Sequence, residues 1–117
     1  MKTILIVDDE LDILSALELI FTIERYRVLT ASNGLTALNL LSHSRPDVIL
    51  TDWMMPEMDG VTFCRAVRSD PALSDIPIIV SSAAPAAPLG AAYWNRFLSK
   101  PVEIADLLAL VHEFTPE

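Results

Sequence analysis

Asp8 and Asp9, Asp52, Ser82 and Lys100 each stand at the end of a short apolar run, at residues 4–7, 48–51, 78–81 and 97–99. In an open parallel sheet the carboxyl ends of the strands share one edge, so groups this far apart in sequence converge on one site. Neighbouring strands lie about 4.8 Å apart, which brings Asp8, Asp9 and Asp52 close together. Carboxylates that near oppose one another's ionisation unless a cation joins them. A hard divalent ion is therefore implied, and Mg2+ suits a site with few carboxylates, retained waters and a phosphoryl guest. Lys100 adds a fixed ammonium for an incoming anion, and the Ser82 hydroxyl can bond one of its oxygens. Asp52 stands centrally and is the candidate nucleophile for in-line attack on phosphorus, giving an aspartyl phosphate. The sequence has no GxxxxGK[ST] loop, so the donor is expected to be something other than a nucleotide held in that way.

Two apolar patterns alternate to position these groups. The runs Ile4-Leu5-Ile6-Val7, Val48-Ile49-Leu50 and Ile78-Ile79-Val80 are continuous and rich in β-branched residues, as strands covered on both faces require. Weaker strands are placed at residues 28–31 and 97–99. Between them run helical stripes: Ile13, Ala16, Leu17 and Ile20; Gly34, Ala37, Leu38 and Leu41; Val61 and Cys64; and Ile104, Leu107, Leu108 and Val111. Asn33-Gly34 and Asp59-Gly60 mark helix starts, and Arg45-Pro46-Asp47 introduces the third strand. The pattern predicts an α/β fold, a doubly wound parallel sheet of five strands with helices on both faces. Pro85, Pro88 and Gly90 leave room for only a shortened fourth helix, near residues 89–94.

The 117 residues imply one domain over 1–117, and 52% apolar against 21% charged residues exclude disorder. A net charge of -8 argues against contact with nucleic acid or an anionic membrane, so partners are expected to be proteins. The first residues do not match a secretory signal, no run reaches membrane-spanning length, and a lone Cys64 agrees with a reducing cytoplasm.

Taken together, Ile4-Leu5-Ile6-Val7-Asp8-Asp9-Glu10, Ala31-Ser32-Asn33-Gly34, Thr51-Asp52-Trp53-Met54-Met55-Pro56 with Asp59-Gly60, Pro77-Ile78-Ile79-Val80-Ser81-Ser82-Ala83 and Lys100-Pro101 closely resemble the receiver domain of two-component response regulators. The likeness spans essentially the whole chain. It implies a flavodoxin-like sheet of strand order 2-1-3-4-5, and Asp52 as phosphoacceptor from a sensor histidine kinase or a histidine phosphotransfer protein. It further implies Mg2+ held directly by Asp9 and Asp52, through water by Asp8, and by the backbone carbonyl of Met54. Ser82 with Ala83 and Lys100 matches the phosphate-binding and switch positions, Phe97 the switch aromatic, and Pro101 the residue of a cis peptide. The output implied is a changed interaction with a downstream protein, with a homodimer as one form. The interval from Ser82 to Lys100 is 18 positions, shorter than the family's usual spacing.

Plainer readings stand beside these. Asp8, Asp9 and Glu10 are also placed to favour the start of the first helix. Alternation along the strand lets only one of Ser81 and Ser82 face the site, and Phe97 reads equally as a core ring. Cys64 reads as an inert core thiol, and His43 and His112 as solvated side chains. No DNA-binding or enzymatic segment follows the last helical stripe, so output is expected to come through another protein; the chain is expected not to be an enzyme. Two rivals remain: a binding module of receiver fold that works without phosphorylation, and a small phosphatase using an aspartyl phosphate. The phosphatase wants a second Asp two residues after the nucleophile, where Met54 stands.

Overall fold

A computed structural model describes residues 1–55, 57–83 and 93–116. Strands β1 (Thr3–Val7), β2 (Arg27–Ala31), β3 (Val48–Asp52), β4 (Ile78–Ser82) and β5 (Arg96–Ser99) alternate with helices α1 (Leu11–Ile23), α2 (Gly34–Leu41), α3 (Gly60–Ser69) and, after β5, α4 (Ile104–Phe114). All strand pairs are parallel and the order is β2-β1-β3-β4-β5. The expected short fourth helix falls mainly outside the described residues. Of that stretch, Trp94 is buried.

Alternation of side chains across the sheet builds two cores. Leu5, Val7, Ile49, Ile78 and Val80 meet Ala37, Leu41, Phe63, Cys64 and Val67 on the face of α2 and α3. Ile4, Ile6, Val48, Leu50 and Ile79 meet Leu14, Phe21, Leu107, Leu110 and Val111 on the face of α1 and α4. This double cover is why β1, β3 and β4 read as unbroken apolar runs. The edge strands β2 and β5 are buried less evenly, and their sequences are correspondingly mixed.

Two expectations need correction. In α1 the buried residues are Leu14 and Phe21; Ile13, Leu17 and Ile20 of the expected stripe are half-buried, while Ala16 is exposed. The larger Phe21 decides the rotation of the helix, because its ring seats edge-on against Tyr26, with centroids 5.5 Å apart and planes at 86°. His112 is also more than a solvated side chain. Thr115 donates its hydroxyl proton to the carbonyl of Val111 at 2.8 Å, so Tyr26 donates to Thr115 at 2.7 Å and accepts from Nδ1 of His112 at 3.1 Å. Nε2 of His112 lies 3.4 Å from Glu24. These bonds tie the last turn of α4 to the end of α1 and the start of β2. His43 is exposed and bonds locally to Ser42 and Asn39.

Candidate phosphoryl and metal site

The site forms where β1, β3, β4 and β5 end. The Asp8 amide donates to Ala31 at 3.1 Å, continuing the ladder one step past β1. The Asp8 carboxylate then has two duties. Its Oδ1 accepts from the amide of Glu10 at 2.9 Å, fixing the entry to α1, and its Oδ2 lies 3.8 Å from Nζ of Lys100. Asp8 thus helps start the helix and faces the site at once. Asp9 and Glu10 are exposed. Asp52 closes β3 and is buried, with Oδ1 3.5 Å from Nζ of Lys100. Carboxylate oxygens of Asp8, Asp9 and Asp52 all lie within 4.8 Å of one another.

Lys100 is held from its backbone, its amide donating to the carbonyl of Ser82 at 2.7 Å, and the following Lys100-Pro101 peptide is cis. Both contacts from its ammonium are longer than a tight hydrogen bond, so the charge neutralises two acids without being locked to either. Burial raises the pKa of Asp52 above the usual carboxylate range. Lys100 opposes that rise and the charge on Asp8 adds to it. The acids therefore stand in an unsatisfied electrostatic state. Hard oxygen donors at this spacing, with one acid exposed to water, fit a small divalent cation that keeps several waters.

The loop after β3 is shaped by Gly60. A Cβ there would stand 3.0 Å from both Cα and the carbonyl oxygen of Trp53, and the Gly60 amide donates to that same oxygen at 2.8 Å. Glycine thus lets the start of α3 press against the residue next to Asp52. Asp59 caps α3, its carboxylate accepting from the amide of Thr62 at 2.8 Å, and that bond holds its pKa below the ordinary value. Met54 is exposed and lines a cleft with Asp9, Trp53, Met55 and Asp59. Cys64 is fully buried, and burial pushes its thiol up to about 12.

The two serines separate as alternation demands. Ser81 is in register with Asp52 and half-buried, on the α1 and α4 face. Ser82 is in register with Ser99 and fully buried. Ala83 is exposed. Phe97 is partly buried and packs on the first core. A residue that the sequence reading did not single out joins it: Trp94 lies 5.4 Å from the Trp53 ring in a T-shaped pair and 6.4 Å from Phe97. The rings form a string from the neighbour of Asp52 to β5. The proximity of Trp94 to Phe97 along the chain was the available signal, but Trp53 is 41 positions from Trp94 and no local pattern pairs them.

Residues 4–112 match the family model described as the response regulator receiver domain. The chain belongs to that family. Response regulator PleD of Caulobacter vibrioides is 39% identical over 119 residues, a match covering 96% of this chain and 26% of PleD. Among solved structures, the receiver domain of a signal transduction histidine kinase from Syntrophus aciditrophicus is 31% identical with a TM-score of 0.88, covering 97% of this chain and 89% of that one. Response regulator TrrA of Thermotoga maritima, solved in complex with Mg2+-BeF, is 28% identical with a TM-score of 0.88, covering 97% and 98%. The chain spans between about a quarter and just under half of the length of curated relatives it matches. Receiver domains are signalling modules rather than typical enzymes. Among the described residues no helix is long and apolar enough to cross a membrane.

Proposed function

We propose that residues 1–117 act as one receiver unit in a cytoplasmic phosphorelay, with Asp52 accepting a phosphoryl group from a phosphohistidine on a sensor kinase or a phosphotransfer protein. A carboxylate oxygen of Asp52 forms the new bond to phosphorus as the phosphorus–nitrogen bond of the donor breaks, and the electron pair leaves with the imidazole. The observation that carries this reading is the placement of Asp52: buried, 3.5 Å from the Lys100 ammonium, and grouped with the oxygens of Asp8 and Asp9. Asp9, Asp52 and the Met54 carbonyl would hold Mg2+ directly, with Asp8 reaching it through water. Bound there, the ion supplies charge neutralisation for the transferred group.

Lys100 attracts the phosphoryl oxygens, and Ser82 with Ala83 receives them at the end of β4. Phe97 responds to the same event through its packing against Trp94, and a protein partner, or a second copy of the chain, reads the altered face. The test is intact mass after incubation with Mg2+ and acetyl phosphate. Wild type gains one acid-stable, base-labile phosphoryl group and Asp52→Asn gains none. An adduct of equal yield on Asp52→Asn refutes the acceptor assignment, and the absence of any adduct on wild type favours a binding module that works without phosphorylation.

A further inference from the structure

A cleft of about 520 Å3 opens between α1 and α4, on the opposite side of the sheet from α2 and α3. That volume is in the range of small-molecule sites. Its walls are Ile13 and Leu17 from α1, Leu50 from β3, and Val102, Ile104 and Leu107 at and after the turn into α4. Polar side chains enter at the end nearest the acidic site, from Asp8, Ser81 and Lys100. The hydroxyl of Ser81 makes no hydrogen bond among the described residues, although its carbonyl accepts from Trp53. A half-buried hydroxyl that bonds no described protein group, at the head of an apolar cleft, offers its place in water to a ligand's single polar group.

We propose that this cleft is a second binding site, for a small uncharged amphipathic molecule such as an alkylphenol, its hydroxyl on Ser81 and its apolar body along Leu17 and Leu107. Charge selects the neutral head. An anion would meet Asp8, with Asp9 and Asp52 behind it, and the one ammonium is already shared by Asp8 and Asp52. A cation finds the three carboxylates themselves a better site than the cleft. Asp8 and Lys100 belong to both places, so occupancy gives the acidic site a second input; that consequence alone rests on the phosphoryl reading above.

The binding test uses the full chain with 13C-labelled isoleucine, leucine and valine methyls, in EDTA and without a phosphodonor, so its outcome is independent of whether Asp52 is phosphorylated. With 4-butylphenol as the probe, saturable shifts are expected at Ile13, Leu17, Val102 and Leu107 and not at Ile49, Ile78 or Val67 of the other core. Butylbenzene, which lacks the hydroxyl, binds about tenfold more weakly, and Ser81→Ala removes that difference. Leu17→Trp fills the cleft and abolishes the shifts; Ile104→Trp, at the partly exposed mouth, does the same without touching the buried core. No saturable shift up to the solubility limit, shifts spread over both cores, or undiminished binding in a folded Leu17→Trp or Ile104→Trp overturns the site. An unchanged preference for the phenol in Ser81→Ala overturns the placement of its head.

Discussion

Replacing Lys100 with methionine keeps the length of the side chain and removes its charge, so it asks how much that ammonium supports the three acids. At an effective dielectric near 20, the 3.5 Å approach to Asp52 corresponds to about 5 kcal/mol of attraction and the 3.8 Å approach to Asp8 to about 4 kcal/mol. Carboxylate oxygens within 4.8 Å of one another repel by at least about 3 kcal/mol per pair at the same dielectric. Without Lys100 the acids shed part of this cost by binding protons and water, and the Lys100 side chain is itself 25% exposed, which discounts the loss further. Net destabilisation of about 2–3 kcal/mol in EDTA at pH 7 is expected, below the range for breaking a fully buried pair. Mg2+ replaces the missing charge, so the variant gains more stability from added Mg2+ than wild type does. Urea denaturation of both proteins, in EDTA and in Mg2+, measures the two differences. Asp52→Asn has the opposite sign: the raised pKa of Asp52 means its ionised form costs stability, so the isosteric amide is more stable than wild type in EDTA. If Lys100→Met in EDTA stays within about 0.5 kcal/mol of wild type, the ammonium is not what holds these acids together and the electrostatic reasoning fails.

Three other expectations test the supports of the site. Gly60→Ala drives a methyl against the backbone of Trp53 and should cost about 1–3 kcal/mol while shifting the Trp53 emission spectrum; an unchanged melting curve contradicts the close approach. Asp59→Ala should cost about 1 kcal/mol at neutral pH, towards the lower end for caps because Asp59 is exposed. The folded pKa of Asp59 lies below the ordinary value, so its contribution is present above the unfolded pKa and is lost as pH falls through the folded one; wild type and variant should converge in stability in acid. Cys64, fully buried with its thiol at about 12, should react with iodoacetamide only as fast as the protein opens, and rapid alkylation at pH 8 under native conditions would show α3 to be loosely packed.

The acidic cluster was legible in the sequence because each member ends a strand buried on both faces, where apolar runs stop abruptly at a charge. The same logic located β1, β3 and β4, whereas β2 and β5 sit at the sheet edges and carry weaker patterns. Local periodicity found the inward side of α1 but not its centre: Ile13, Leu17 and Ile20 are half-buried, while Leu14 and Phe21 are the buried residues and Ala16 is exposed. Asp8 shows why the plain reading and the functional one need not compete: one oxygen accepts from the Glu10 amide at the entry to α1, and the other faces Lys100. Contacts between residues far apart in sequence stayed hidden: Tyr26 meets His112 and Thr115 across 86 and 89 positions. Arg68 was invisible for the same reason. Its guanidinium gathers the carbonyls of Tyr93, Ser74 and Ile76 and the side chain of Asn95, fixing the chain just before β5.

The edge-on arrangement of Trp53 and Trp94 gives the molecule a pair of coupled chromophores one residue away from its central aspartate. Two indoles at 5.4 Å exchange excitation energy, so light emitted by either reports on both, and a spectrum of the intact protein is a property of their mutual angle. Movement of β5 relative to β3 would alter that angle before it altered the exposure of either ring. Near-ultraviolet circular dichroism, which responds to the orientation of neighbouring transition dipoles, is therefore the natural dye-free readout of any rearrangement that begins at Asp52.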